Sequence, residues 1–361
     1  MRWDHLRHDG SADSPEGPDE GPSGPSALPL FERDTVTTRT FDTPEFRGMT
    51  FHEVNARSVL TRVPGGPGMP RGWHLNPYRG CSHACVYCFA RKSHEYLDLD
   101  AGLDFDRQIV VKVNAPAVVR RELAGRARPG DHVAMGTNVD CYQRAEGRYR
   151  LMPGILAALR DYRVSFSILT KGSLILRDLE LLREAAERAT VETAVSVGFT
   201  DSGLWRSLEP GTPSPRARLE VCASLTGAGL PCAVLMSPIV PYLSDSPAQL
   251  RATVKAVAES GAVSIAPEVM YLRPGSREWF MGWLAEHHPG LVGRYRRLYG
   301  EGVYAPRWYQ NKVLGRVREL AREYGVGPPR TFHTGRPPQW EETGRSPDDP
   351  EDSGPTQLTL M

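Results

Sequence analysis

Three cysteines fall within eight residues of "NPYRGCSHACVYCFAR" (76–91), in a chain that holds six in all. Cys81, Cys85 and Cys88 are spaced C-x3-C-x2-C. Thiolates this close bind metal or exchange electrons, and six cysteines in 361 residues are too few to staple a secreted scaffold. The grouping points to a reducing compartment and to ligation. A structural zinc site normally closes with four protein ligands in two pairs. A fourth ligand here would have to be His83, wedged between the cysteines, or His94, which merely lies near. An iron–sulfur cluster held by three cysteines leaves one iron without a protein ligand, open to an external molecule. The spacing fits that chemistry best.

Something must hold such a loop in place. "DHVAMGT" (131–137), "VSFSILT" (164–170), "VETAVSVGF" (191–199), "PCAVLMSPI" (231–239) and "AVSIAPEVM" (262–270) are apolar at nearly every position, as strands covered on both faces are. Residues 151–161, 174–188, 215–228, 246–260 and 306–324 read as helices. A strand and a helix in about 30 residues, repeated, predicts parallel βα units. With a first strand just before Cys81 the count is six, short of a closed barrel's eight. The expected fold is therefore α/β, an open partial (β/α)6 barrel. Reactive groups in such folds collect where strands end, and Cys81, Gly136, Lys171 and Thr200 all stand at expected strand ends.

Composition divides the rest of the chain. Residues 1–44 and 334–361 mix Gly, Pro, Ser and acids without periodicity and are expected to be unfolded. Between them lie a barrel core at 45–290 and an extension at 291–333 rich in arginine and aromatics. No apolar run is long enough to span a bilayer, so a cytoplasmic enzyme is the expectation. A formal charge of +1 gives no global field to recruit nucleic acid; any such binding must be local.

C-x3-C-x2-C with Tyr87 just before the last cysteine resembles the signature of the radical S-adenosylmethionine (SAM) enzymes, across about residues 70 to 285. That resemblance implies a [4Fe-4S] cluster whose bare iron chelates the amino and carboxyl groups of SAM. It also implies a low-potential electron donor such as flavodoxin or ferredoxin. One electron then cleaves SAM to methionine and a 5′-deoxyadenosyl radical, which abstracts hydrogen from substrate. The usual fold is the partial barrel already counted. "GTNVDCYQRAEG" (136–147), "LTKGSLILRDLELL" (169–182) and "EPGTPSPRARLEV" (209–221) further resemble the spore photoproduct lyase-like group, with Cys141 where its members more often carry proline.

The resemblance assigns roles by position. Cys81, Cys85 and Cys88 would ligate the cluster. Tyr87 would present its backbone to the adenine edge of SAM, or simply pack its ring beneath the loop. Gly136 and Thr137 would form a small-residue turn against the methionine amino group, although Gly136 reads equally as an ordinary turn residue. Lys171 ends an apolar strand, a costly place for a cation without an anion nearby; the SAM carboxylate is the implied partner, and snorkelling the alternative. Ser196 and Arg218 are further candidates for SAM contacts, Arg218 reading also as a solvated side chain. Cys141 is positioned to return a hydrogen atom to a substrate radical, or is a loop cysteine without a role. Asp140, Tyr142, Gln143 and Glu146 share its loop and read as substrate contacts. Cys222 and Cys232 read as small buried hydrophobes.

Two segments point to partners. Arg294, Arg296, Arg297, Arg307, Lys312, Arg316 and Arg318 interleave with Tyr295, Tyr299, Trp308 and Tyr309. That is the composition of a nucleic-acid surface, and equally of helices docked through their aromatics. The tail ends on Gln357, Leu358, Leu360 and Met361, which resembles the peptide (Gln357–Met361) by which bacterial repair proteins dock on the DNA sliding clamp. Three readings follow: radical repair of a DNA lesion, radical modification of a peptide or small metabolite, and a non-enzymatic zinc-binding module.

Overall fold

The structure, a computed structural model, describes residues 36–63, 72–126 and 131–328. The chain opens with β1 (Val36–Thr40), β2 (Thr50–Val54) and β3 (Leu60–Val63), then β4 (Gly72–Leu75) and the two-residue β5 (Tyr78–Arg79). The cysteine loop comes next, followed by a 3-10 turn at Phe89–Leu97, α1 (Leu103–Arg107), β6 (Gln108–Lys112) and α2 (Ala115–Arg126). From there strands and helices alternate: β7 (His132–Met135), α3 (Arg144–Tyr149) with α4 (Leu151–Asp161), β8 (Ser165–Thr170), α5 (Leu179–Ala186) and β9 (Val191–Ser196). Then follow α6 (Ser202–Leu208) with α7 (Pro215–Gly227), β10 (Cys232–Ile239), α8 (Pro247–Glu259), β11 (Ser264–Val269), α9 (Ser276–His287), α10 (Pro289–Tyr299) and α11 (Arg307–Glu323).

The larger sheet runs β11-β10-β9-β8-β7-β4-β3. Its six strands from β11 to β4 pair in parallel, and β3 adds an antiparallel edge on β4. The sheet is open between β11 and β3, which gives the partial (β/α)6 barrel. Its strands are apolar because helices cover them: all four residues of β7 are buried, and α4 buries Leu151, Met152, Ile155, Leu156, Ala158 and Leu159 at helical spacing. The Ser-Pro pairs at 214–215 and 246–247 start α7 and α8, each serine hydroxyl accepting a backbone N–H of the first turn.

Two features depart from the expectations above. β1 lies inside the segment expected to be unfolded and pairs along its whole length with β2 in a second sheet, β1-β2-β6-β5. Through β5 that sheet grips the strand that leads into Cys81. The expected helix at 174–188 starts as a 3-10 turn, Ser173–Asp178, because Arg177 and Asp178 are tied sideways to Glu146 and Tyr142.

α10 and α11 dock on the barrel by their aromatics. Tyr295 and Tyr299 hydroxyls donate to the carbonyls of Pro241 (2.5 Å) and Met270 (2.6 Å), and Tyr309 bonds Asp245. All three rings are buried, whereas Trp308 is 64% exposed. No helix among the described residues is long and apolar enough to cross a membrane. The tail peptide at Gln357–Met361 lies outside the described residues.

Candidate active site

Gly80 turns the chain from β5 into Cys81 at φ +78°, where a Cβ would meet the Gln108 carbonyl at 2.8 Å. The loop is then tied down by backbone bonds. Cys81 N–H donates to Phe105 O (2.9 Å), Val86 N–H to Leu208 O (3.0 Å), and Gly211 N–H to His83 O (3.1 Å). Below it, buried Arg91 donates to Cys85 O from Nε (3.2 Å) and Nη2 (2.9 Å), and pairs with Asp106 at 2.9 Å. Its guanidinium sits 5.3 Å from the Phe105 ring centre and 4.9 Å from that of Trp279.

Cys81 and Cys85 are buried and Cys88 half-buried, all as free thiols. Burial pushes the Cys85 thiol up to about 12 against the pull of Lys171. Burial likewise raises Cys81, helped by the charges of Asp140, Cys85 and Cys88. The thiols are thus close enough to feel one another, and metal is what would ionise them. Among the described residues no three His, Cys, Asp or Glu side chains converge on a single ion. His83 is turned to Asp140 and His94 to the Gln108 carbonyl, so neither stands as a fourth ligand. Three neighbouring thiols on one loop with cations around them fit a multi-iron cluster better than one closed ion site.

Four of the residues expected to meet SAM, Tyr87, Lys171, Ser196 and Arg218, form one linked group. Lys171 Nζ donates to Ser196 Oγ (2.8 Å) and lies 5.9 Å from the Tyr87 ring centre; Ser196 Oγ donates to Ser237 O (2.9 Å). Arg218 Nη1 donates to Ser196 O (2.7 Å), while Nη2 pairs with Glu209, which also accepts from the Tyr87 hydroxyl. Burial pushes the Glu209 carboxyl up, but Arg218, Lys171 and the Tyr87 hydroxyl outweigh it and hold the group below its ordinary value. Lys171 has no carboxylate in salt-bridge contact among the described residues. Arg218 Nε and Thr137 Oγ1 are buried without a hydrogen-bond partner. An ammonium bonded to a hydroxyl but to no carboxylate, joined through Ser196 to Arg218 with its orphaned Nε, suits a ligand with a carboxylate and other acceptors, as the polar end of SAM has. Gly136 is required for another reason: at φ +79° its Cβ would lie 1.8 Å from Leu169 O, so β7 and β8 approach too closely for any side chain.

The loop after β7 brings a correction. Tyr142, Gln143 and Glu146, expected from the sequence to contact substrate, are 1%, 0% and 0% exposed. Glu146 accepts from Tyr78 OH (2.6 Å), Arg177 (2.6 Å) and the N–H groups of Leu151 and Met152 (3.0 and 3.1 Å) at the start of α4. Cys141 is 0% exposed, its thiol raised by burial and by the charges of Asp140 and Glu146. Cys222 and Cys232 are buried as expected.

Three groupings were missed in the sequence: Glu209 between Tyr87 and Arg218, the His83–Asp140 pair, and an aromatic row. In that row Phe89, next to Cys88, lies 5.9 Å from Tyr271, and Tyr271 lies 5.7 Å from Tyr304. Arg273 covers the first two rings at 5.6 and 5.5 Å. Phe89 after the motif was the one available signal.

Comparison with known proteins bears on the whole assembly. The family model described as the Radical SAM superfamily matches residues 75–254. An uncharacterized protein of Mycobacterium tuberculosis (strain H37Rv) is 46% identical over 320 residues, covering 89% of this chain and 93% of the relative. Another, from Methanocaldococcus jannaschii, is 28% identical over 186 residues, covering 51% of this chain and 65% of the relative. Among solved structures, a mutant spore photoproduct lyase with bound AdoMet and dinucleoside spore photoproduct aligns at TM-score 0.58 and 14% identity, over 77% of this chain and 80% of that one. At that identity the likeness is one of fold.

Proposed function

The chain belongs to the radical SAM superfamily, and from that premise we propose that it abstracts hydrogen from a damaged base in nucleic acid. Its cofactors are a [4Fe-4S] cluster and SAM, which when bound supply the hydrogen-abstracting radical. Cys81, Cys85 and Cys88 hold the cluster. Lys171 pairs with the SAM carboxylate, Ser196 holds the lysine ammonium in place, and Thr137 Oγ1 and Arg218 Nε supply further donors. Glu209 keeps Arg218 and Tyr87 fixed. A low-potential donor such as flavodoxin or ferredoxin delivers the electron.

The aromatic row carries the substrate reading. Phe89 is adjacent in sequence to Cys88, and Tyr271 follows the end of β11, so the row adjoins the cluster at the barrel mouth. Neighbouring rings, tilted by 39° and 44° and flanked by an arginine, suit a planar base with a phosphate beside it. The structural neighbour described above is a lyase that holds a dinucleoside photoproduct, which agrees with that choice over a peptide or an aliphatic metabolite. The Cys141 thiol lies inside the core, so this reading draws on no thiol for returning hydrogen. Anaerobically reconstituted protein should form 5′-deoxyadenosine faster with ultraviolet-irradiated oligonucleotides than with undamaged ones. Tyr271→Ala should remove that stimulation while the basal rate persists. An irradiated oligonucleotide without effect, beside stimulation by peptides, would transfer the protein to the second substrate class.

A further inference from the structure

The loop after β7 reaches out to the cysteine loop at several points. Gln143 Oε1 accepts the Ser82 N–H (2.9 Å), and its Nε2 donates to Gly80 O (2.9 Å). Arg144 N–H donates to Ser82 Oγ (3.3 Å). Asp140 does two jobs with one carboxylate. Its Oδ2 lies 3.3 Å from His83 Nδ1 and accepts the Lys171 N–H (2.6 Å), while Oδ1 accepts from Thr170 Oγ1 (2.7 Å) and Tyr142 N–H (2.8 Å).

These bonds differ from those that stabilise the loop itself. Glu146, Arg177, Asp178 and Tyr142 bond one another, Tyr78 and the start of α4, and none bonds residues 81–88. Asp140 and Gln143 bond outward. Gln143 satisfies a buried N–H and a buried C=O on either side of Cys81 that would otherwise be unpaired. Asp140 joins His83, between Cys81 and Cys85, to the backbone of Lys171, which ends the neighbouring strand. The geometry points to Asp140 and Gln143 as positioning residues: together they fix the cysteine loop relative to the Lys171 end of β8, and so the thiols relative to the cation. The inference rests on the cluster reading of the three cysteines. Sites of this kind tolerate displacements of only about 0.5 Å, and a clamp spanning both halves meets that demand.

The test compares Asp140→Asn, Gln143→Met and the control Asp178→Asn, which breaks the loop's internal bonds alone. Apo-protein folding is followed by circular dichroism and melting. The reconstituted cluster is followed by iron content, by the electron paramagnetic resonance spectrum of the reduced state with and without SAM, and by SAM affinity in equilibrium dialysis. The expected result is folded apo-protein in all three. In Asp140→Asn and Gln143→Met, SAM should bind roughly tenfold more weakly, with a broadened or unshifted spectrum on adding SAM. Asp178→Asn should lower the melting temperature but keep the wild-type spectrum. Wild-type spectra and affinity in both clamp variants would overturn the clamp, and so would changes seen only where the apo-protein has unfolded. Wild-type protein that takes up no iron would instead refute the cluster reading.

Discussion

Glu209 shows why the site was only partly legible residue by residue. Its partner Tyr87 lies 122 residues away, and no local pattern announces a contact of that span. The cysteines and Lys171 stand out as candidates because spacing, or the end of an apolar strand, marks them within a few residues. Two predictions belong to this scale. Cys85→Ala should abolish SAM cleavage and lower bound iron, because the cluster loses a thiolate. Cys222→Ala should keep both while losing about 1 kcal/mol of stability, as small core truncations do. The iron assay and the 5′-deoxyadenosine assay read both outcomes, and full cleavage in Cys85→Ala would sink the cofactor assignment. Lys171→Ala should weaken SAM binding by about 1–3 kcal/mol, the range for a charge-assisted hydrogen bond, with iron content unchanged. An unaltered dissociation constant would make this lysine a strand-end cation that merely reaches solvent.

At the scale of elements, the parallel strands were legible because both faces are covered and the sequence stays largely apolar, as in β10. The smaller sheet was not. β1 leaves four of its five residues exposed, so its strand signal is drowned by the polar segment before it. The loop after β7 misled in the opposite way: Tyr142, Gln143 and Glu146 read as substrate contacts but are buried in bonds to their neighbours. Glycines show how element geometry sets tolerance. Gly136→Ala should destabilise by more than about 1 kcal/mol, since it combines φ +79° with a Cβ 1.8 Å from Leu169 O. Gly227→Ala, exposed at the end of α7 with nothing within 4 Å of the added carbon, should instead stabilise by about 0.5–1 kcal/mol. Urea unfolding of the two variants separates them, and equal effects would mean that the close approach of β7 to β8 yields easily.

For the whole molecule, a formal charge of +1 gives nucleic acid no general attraction, so the binding proposed above would have to be carried by a face. The C-terminal extension supplies fewer ligands than its composition promised. Tyr295, Tyr299 and Tyr309 are spent on docking, Arg294 covers Tyr242 at 3.9 Å, and Arg316 is paired with Glu319. Arg296, Arg297, Arg307 and Lys312 remain exposed, with Trp308 at 64%. Arg273 stands apart from them on the aromatic row beside Cys88. This division predicts two separable effects on single-stranded DNA. Replacing Arg307 and Lys312 by Ala should weaken binding of all sequences alike and flatten the salt dependence by about 0.7 for each phosphate the protein no longer neutralises. SAM cleavage without DNA should be untouched. Arg273→Ala should change the salt slope by no more than one phosphate's worth, yet remove the stimulation of SAM cleavage by irradiated oligonucleotides, because its guanidinium lies over the rings where a base would stack. Fluorescence anisotropy across a salt series, run beside the 5′-deoxyadenosine assay, reads both. Were Arg273→Ala to keep full stimulation while the helix substitutions abolished it, the substrate would be engaged by the extension, and the row beside Cys88 would serve only to pack Tyr304 against the barrel.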